Sequence, residues 1–132
     1  ATHFNALGEP DGWMSKSYFL IFEGAILLII VAIFTLLSPL LEKMPDSLIN
    51  LPNKEYWLAE ERRAETFIEF RHYFEWFGIA LLGLYIGINE FVFRANLNGQ
   101  NLSGWTWIIL LLFLLFVGIS TTKFILRFRK TK

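Results

Sequence analysis

Three long apolar segments divide the chain, and two of them contain almost no charge. Residues 18–41 carry one acidic residue, Glu23, and residues 105–123 carry no charge before Lys123. A helix rises about 1.5 Å per residue, so about 20 apolar residues cover the roughly 30 Å hydrocarbon core of a bilayer. The pattern predicts three transmembrane helices, near residues 18–41, 74–94 and 105–123.

The middle apolar segment follows directly on an amphipathic one. Between Glu60 and Glu75 apolar residues recur at spacings of three and four, and charged residues cover the other faces. Neither proline nor glycine occurs between Glu60 and Phe77. Since these are the residues that most often interrupt a helix, we predict one continuous helix from about Glu60 through residues 74–94. Its charged first part is either a docking surface or a solvated extension of the span.

Small residues share one face of this middle span. Ala80, Gly83 and Gly87 recur every three or four residues, and Glu90 continues the same face. In a membrane, a small-xxx-small pair such as Gly83 and Gly87 lets another helix approach closely. We therefore predict that Ala80, Gly83 and Gly87 form a helix-packing face.

The remaining segments are polar and rich in turn residues. Residues 1–17 are predicted to form an extracytoplasmic loop with a turn at residues 9–12, Glu-Pro-Asp-Gly. Residues 42–73 are predicted to be an interfacial or cytoplasmic segment, in which two prolines interrupt the helical pattern before the amphipathic part begins. Residues 96–104 are predicted to be a short loop.

Composition agrees with a membrane protein and excludes several other classes. The chain is 55% hydrophobic with a mean hydropathy of +0.46, which is too apolar for an ordinary soluble domain of this size. Its formal net charge is zero, so we expect no nucleic-acid partner, and it has no cysteine for a disulfide, a thiolate metal ligand or a nucleophile. The predicted fold class is an all-α integral membrane protein, with a signature loop at residues 1–17 and a three-helix membrane domain at residues 18–132.

The distribution of basic residues predicts an orientation. Basic residues near the ends of spans are retained on the cytoplasmic side. Only Lys16 and Arg94 lie on one side of the predicted membrane. The other side carries Lys43, Lys54, Arg62, Arg63, Arg71, Lys123, Arg127, Arg129, Lys130 and Lys132. We therefore expect a bacterial inner-membrane protein with its N-terminus outside and its C-terminus in the cytoplasm.

Two stretches of the chain resemble a known family. Residues 2–13 read Thr-His-Phe-Asn-Ala-Leu-Gly-Glu-Pro-Asp-Gly-Trp, with Lys16 after them, and residues 50–58 read Asn-Leu-Pro-Asn-Lys-Glu-Tyr-Trp-Leu, with Glu-Arg-Arg at residues 61–63. The first resembles the His-Phe-Asn and Gly-x-x-Asp-Gly signature of bacterial membrane proteins of the SdpI-like immunity type, in a short domain of unknown function. The second is similar to an element of many relatives.

The resemblance implies a membrane location and, for the named family members, protection against a secreted toxin or signalling to a regulator. It implies no catalytic residue. In the family the signature follows a Leu-Pro-x-x-Ile-Pro lead and a first membrane helix, whereas this sequence begins inside the signature. We expect either a processed or truncated start or the absence of that helix.

The signature also supplies candidate partner-binding residues, which are His3, Asn5, Gly8, Asp11, Gly12, Trp13 and Lys16. His3, Glu9 and Asp11 are residue types that bind zinc or manganese, but their spacing in a loop does not bring them together. We expect hydrogen bonds within a compact turn instead, and we expect no metal or cofactor. His72, at the end of the middle span, is expected to be an interfacial anchor rather than a ligand of a pigment or haem.

Polar residues inside the predicted spans form a second candidate set, which is Glu23, Asn89, Glu90 and Arg94. An ionised acid at the membrane centre costs about 2.5 kcal/mol or more, so such a residue is by default a candidate for function. Glu90 precedes Arg94 by four residues, the favourable order for an ion pair on a helix. Structural pairing and a proton, ion or partner site therefore both remain open.

These observations favour a binding function without catalysis. No nucleophile with a neighbouring base is visible, so we predict that the protein is not an enzyme. We expect it to bind a membrane partner, as an accessory subunit of a larger membrane complex or as an SdpI-like immunity factor. The alternative is a small transporter or a proton-coupled membrane sensor that uses Glu23 and Glu90.

Overall fold

The computed structural model describes residues 1–131, so Lys132 of the basic tail lies outside the described residues. The elements in chain order are strand β1 (His3–Phe4), strand β2 (Pro10–Gly12), helix α1 (Lys16–Lys43), a 3-10 turn (Asp46–Leu48), helix α2 (Lys54–Trp57), helix α3 (Glu60–Asn98) and helix α4 (Trp105–Phe128). The helices α1, α3 and α4 are long and apolar enough to cross a membrane. The prediction of an all-α membrane protein with three such helices is therefore confirmed.

Helix α3 is the central element, and α1 and α4 both pack against it. Its 39 residues run without a break from Glu60 to Asn98, which confirms the predicted continuity. At about 1.5 Å per residue α3 is about 58 Å long, roughly twice the hydrocarbon thickness of a bilayer. The amphipathic first part therefore extends beyond the membrane on the side that carries most of the basic residues, which we call the basic side.

The helix ends differ from the predicted span ends because local capping, not hydrophobicity, decides where a helix stops. Helix α1 begins at Lys16, because the Ser15 hydroxyl accepts a hydrogen bond from the Tyr18 backbone N–H and so caps the helix. Lys16 was predicted to lie in the loop before this helix. Helix α3 continues through Asn98, whereas the loop after it was predicted to begin at residue 96. It ends at Gly99, whose φ of 61° is the left-handed conformation that glycine adopts easily.

The basic side holds the best-packed part of the protein, which we call the junction core. Its members are Ile49, Leu51, Trp57, Leu58, Phe67, Phe70 and Phe128. Residues 42–73 were predicted to be an interfacial or cytoplasmic segment that begins with a polar loop. Within it, the apolar side chains of residues 49–58 turn inward between α3 and the end of α4. The carbonyl of Phe128 accepts hydrogen bonds from Trp57 Nε1 at 2.8 Å and from Asn53 Nδ2 at 3.1 Å. These bonds satisfy a carbonyl at the end of α4 that has no partner within the helix.

The membrane-spanning parts of the three helices bury very little of one another. Almost no residue in the apolar stretches of α1, α3 and α4 is fully buried within the chain. The large apolar side chains on the outside of α1 and α4 therefore face lipid or another protein.

Candidate functional site

The signature residues form a two-stranded hairpin rather than an irregular loop. Strand β1 pairs antiparallel with β2, and His3 lies opposite Gly12. The chain reverses between Asn5 and Gly8, where the Gly8 N–H donates to the Asn5 carbonyl at 2.9 Å. The prediction of a turn at residues 9–12 is therefore wrong, because Pro10–Gly12 is an extended strand.

Asn5 determines where this hairpin turns. Its side-chain oxygen accepts the backbone N–H groups of Leu7 at 2.9 Å and Glu9 at 3.0 Å, which closes the turn from inside. Gly8 completes the turn with a φ of +80°, which a side chain would strain. Asn5 and Gly8 thus determine the shape of the hairpin. Their interactions are made within the hairpin, so they are weaker candidates for direct contact with a partner than exposed side chains are.

His3 and Asp11 face each other across the two strands. Their side chains form a hydrogen-bonded pair on the exposed surface. Glu9 instead accepts a hydrogen bond from Asn5 Nδ2 at 2.9 Å, so the three candidate ligands do not converge. No group of three or more metal-binding side chains occurs in residues 1–131. A Cβ at Gly12 would lie 2.9 Å from His3 Cβ, so glycine is required by the close approach of the strands.

The hairpin is fixed to the connection between α3 and α4. The Leu102 N–H donates to the Gly8 carbonyl at 2.7 Å, and a Cβ at Gly8 would lie only 2.8 Å from the Leu102 carbonyl oxygen. Asn96 Nδ2 donates to the Ala1 carbonyl at 2.7 Å. These contacts hold the hairpin in a defined position over the ends of the helices opposite the basic side.

Two large apolar side chains on this fixed hairpin segment face solvent. Leu7, at the tip of the turn, is 79% exposed, and Trp13, after β2, is 70% exposed. Trp13 belongs to the predicted set, whereas sequence reasoning missed Leu7. A large apolar side chain directly before Gly8, in a stretch rich in turn residues, is the signal that could have found Leu7. Lys16 lies apart from the hairpin, as the first residue of α1.

The polar residues of the spans form two separate groups. Glu23 on α1 accepts hydrogen bonds from two side chains of α3, Tyr85 Oη at 2.5 Å and Asn89 Nδ2 at 3.1 Å. Glu90 pairs with Arg94, whose Nε lies 2.5 Å from the carboxylate. Because consecutive residues of a helix point about 100° apart, Asn89 faces α1 while Glu90 faces elsewhere at a similar depth.

Tyr85 is the intramembrane partner that sequence reasoning missed. It lies four residues before Asn89 and hence on the same face of α3. Its hydroxyl also lies 2.7 Å from the backbone carbonyl of Glu23. The pairing of Tyr85 with Asn89 at helical spacing, opposite a single acid on another span, is the signal that could have identified this cluster.

The predicted glycine face points towards α4, but its contacts are uneven. Ala80, Gly83 and Gly87 line a shallow groove of about 240 Å³ with Ile109 and its neighbours. A Cβ at Gly87 would meet Ile109 Cδ1 at 3.0 Å, whereas a Cβ at Gly83 would meet nothing within 4 Å. Gly87 therefore contacts a neighbouring helix, and Gly83 does not.

Among the glycines of the three long helices, the one with the tightest surroundings lies outside the predicted face. A Cβ at Gly78 would lie 2.8 Å from Cγ and 3.0 Å from Cβ of Phe34 on α1. The Phe34 ring also stacks on Phe77, with ring centroids 5.6 Å apart. Gly83 and Gly87 are recognisable in the sequence because they lie four residues apart, whereas Gly78 has no partner glycine at that spacing.

His72 lines a groove of about 430 Å³ between α3 and α4, together with Tyr73, Trp76 and Phe116. Among the described residues no side chain forms a hydrogen bond with His72. Its neighbour Tyr73 instead shares a hydrogen bond of 2.7 Å with Thr121 of α4. The groove is apolar, as expected for a surface that faces lipid near the end of a span.

Comparisons with models of known protein families, with curated proteins and with solved structures find no match to this chain. Its candidate functional surfaces therefore rest on its own geometry. These surfaces are the fixed hairpin and the cluster of Glu23, Tyr85 and Asn89 between α1 and α3.

Proposed function

We propose that this chain is a non-catalytic integral membrane protein that acts by binding another membrane protein through its outer hairpin. The observation that carries the proposal is the exposure of two large apolar side chains, Leu7 and Trp13, on a hairpin segment whose backbone is hydrogen-bonded to Asn96 and Leu102. A surface that is held in one conformation loses little conformational entropy when a partner binds. Tryptophan at such a surface is a frequent centre of binding energy.

Two further features support a membrane partner. The spans leave most of their apolar surface outside the chain, where a helix of another protein is able to replace lipid. The resemblance of the hairpin sequence to proteins of the SdpI-like immunity type supports an immunity factor, and an accessory subunit of a larger membrane complex fits the same surface. In either role the protein contributes contacts and no chemistry.

The proposal is tested by replacing Leu7 with serine in the tagged protein, cross-linking it in its native membrane and purifying it in mild detergent. We expect a stoichiometric partner to be recovered with the parent protein. With Leu7→Ser the recovery of this partner should fall at least about tenfold, since a loss of about 1.4 kcal/mol in binding is tenfold in affinity. The matched control is Leu48→Ser, because Leu48 is 65% exposed on the basic side. Equal recovery from both variants, or no stoichiometric partner of the parent, contradicts the proposal.

We propose further that the protein lies in the bacterial inner membrane with the hairpin outside and the basic side in the cytoplasm. The ten-to-two distribution of basic residues supports this orientation. The chain has no cysteine, so single cysteines at Lys16 and Glu55 report the two sides directly. In intact cells a membrane-impermeant thiol reagent should label position 16 and not position 55. The opposite labelling pattern reverses the orientation.

The alternative function is a small transporter or a proton-coupled sensor that uses Glu23 and Glu90. It is favoured by one observation, an acid inside the membrane that joins two helices through Tyr85 and Asn89. Glu23→Gln keeps a hydrogen-bond acceptor for Tyr85 but has no proton to release. If this alternative holds, Glu23→Gln abolishes proton-coupled flux in proteoliposomes, and Glu90→Gln weakens it. Flux that is unchanged in Glu23→Gln excludes Glu23 from such a role.

A further inference from the structure

A small pocket opens beside the junction core on the basic side. It has a volume of about 330 Å³ and lies where α2, α3 and the end of α4 meet, and we call it the junction pocket. Its lining residues are Tyr56, Trp57, Arg62, Glu65, Arg127 and Lys130. Three of these six side chains are cationic and one is acidic, so the lining carries a net positive charge.

Aromatic rings hold two of the cations in place. The Arg62 guanidinium lies over the Tyr56 ring, with Cζ 4.0 Å from the ring centroid. The Arg127 guanidinium lies over the Trp57 ring at 4.6 Å. Stacking fixes the plane of a guanidinium and leaves its N–H groups pointing outward at the edge. Such groups match the oxygen atoms of a phosphate, which arginine binds with two parallel hydrogen bonds.

The acidic residues near the pocket pair with only one of its three cations. Glu65 and Glu69 form ion pairs with Nη2 and Nε of Arg127, each at 3.4 Å, and both carboxylates are substantially exposed. Within residues 1–131, Arg62 and Lys130 have no carboxylate partner within 4 Å. The junction pocket therefore keeps two cations available for an anion, with Arg127 as a third donor.

The depth of the pocket indicates where that anion comes from. Arg127 follows the predicted end of the last span, at residue 123, by four residues, or about 6 Å along α4. The headgroup layer on each side of the hydrocarbon core is about 5–8 Å thick. Arg127 is therefore level with the phosphates of the lipids on the basic side. Arg62 and Lys130 lie further from the spans along α3 and after α4, and they line the same pocket at the water-facing edge of this layer. Basic pockets between helices on that side of a membrane are suited to anionic headgroups.

We propose that the junction pocket binds the phosphate of an anionic phospholipid headgroup through Arg62, Arg127 and Lys130. This binding joins α2, α3 and the end of α4 to the lipid surface. It is independent of the outer hairpin, so it holds whichever partner the hairpin binds. The shared chemistry of the site is a phosphate oxygen held by arginine and lysine, and a free phosphate is the other source of that chemistry.

The test is native mass spectrometry of the detergent-purified protein, titrated with phosphatidylglycerol, phosphatidylcholine or inorganic phosphate. We expect phosphatidylglycerol to bind the parent more tightly than phosphatidylcholine, because only the former has a net negative headgroup. The double variant Arg62→Gln/Lys130→Gln should lose about tenfold or more of that affinity. Lys43→Gln/Lys54→Gln is the matched control, since it removes two positive charges from the same side outside the pocket.

The outcomes separate the possibilities clearly. Equal binding of the two lipids by the parent overturns the proposal, and so does an equal loss of affinity in the pocket variant and the control. If inorganic phosphate binds the parent and phosphatidylglycerol does not, and if the pocket variant no longer binds phosphate, the assignment to a lipid is overturned. The ligand of the site is then a free phosphate. Unchanged thermal stability of both double variants shows that any difference arises from binding rather than from folding.

Discussion

Replacing Trp57 by alanine should lower the free energy of unfolding by about 3–5 kcal/mol, the usual cost of removing a large buried aromatic side chain. The same substitution at Trp76 should cost less than about 1 kcal/mol. The two residues are identical in type but differ in environment. Trp57 is 5% exposed in the junction core, whereas Trp76 is 64% exposed on the surface of α3.

The large effect is expected because Trp57 connects three elements at once. Its ring packs edge-on against Phe128 of α4, with centroids 5.2 Å apart, and supports the Arg127 guanidinium. Its Nε1 donates to the Phe128 carbonyl, and its own backbone carbonyl accepts a hydrogen bond from Thr66 Oγ1 of α3 at 2.7 Å. Alanine at position 57 keeps only the last of these contacts and leaves a cavity beside Phe128, which is fully buried.

Unfolding of the two variants in mixed detergent, followed by circular dichroism, measures the difference. Trp57→Phe tests the hydrogen bond with a smaller loss of packing than Trp57→Ala, since it keeps a ring in the core and removes the N–H donor together with part of the indole. The loss in this variant should be about 1 kcal/mol, because Asn53 still donates to the Phe128 carbonyl. If Trp57→Ala is no less stable than Trp76→Ala, the junction core does not determine the stability of the protein.

The junction core also shows what hydrophobic patterning misses. The three spans were predictable because each is a long apolar run, and such runs have few structures available to them in a membrane. Residues 49–58 contain apolar side chains in no regular period, since they follow a 3-10 turn at Asp46–Leu48 and include a left-handed Asn53 with φ 51°. Their burial depends on contacts with the end of α4, some 70 residues away, and no local pattern encodes such contacts.

The candidate site was also predictable only in part, because a contact between distant residues decides its geometry. The signature residues were identified as a unit, and the structure brings His3 and Asp11 together. The position of the turn was predicted wrongly because the Pro-Asp-Gly sequence favours a turn locally, but the side chain of Asn5 and the hydrogen bond from Leu102 favour a turn nearer the start. A tertiary contact thus decided between two local preferences.

Adding a single methyl group at Gly78 should destabilise the protein by about 1–3 kcal/mol, the typical cost of overpacking a close contact. The new Cβ of Gly78→Ala would lie 2.8 Å from Phe34 Cγ. Phe34 Cγ moves only if the χ1 angle changes or if α1 moves away from α3, and Cβ, which would lie 3.0 Å away, moves only with the backbone of α1. Either change disturbs the stacking of Phe34 on Phe77.

Two other glycines of the same helix provide matched controls. Gly83→Ala meets no atom within 4 Å, so it should be neutral or stabilising by up to about 1 kcal/mol from the better helix propensity of alanine. Gly87→Ala should be intermediate, because Ile109 Cδ1 is the end of a flexible side chain and is able to move aside. In detergent unfolding, Gly83→Ala should therefore be the most stable of the three variants, Gly87→Ala the next and Gly78→Ala the least stable.

A double-mutant cycle identifies the cause of the effect at Gly78. Phe34→Ala removes the ring and Cγ, so Gly78→Ala should cost much less in the Phe34→Ala background than in the parent, with a coupling of about 1 kcal/mol or more. Additive effects of the two substitutions would mean that Phe34 is not the group that excludes a side chain at position 78. In that case the close approach of α1 to α3 at this point does not limit the packing of the spans, and Gly78 has no special role there.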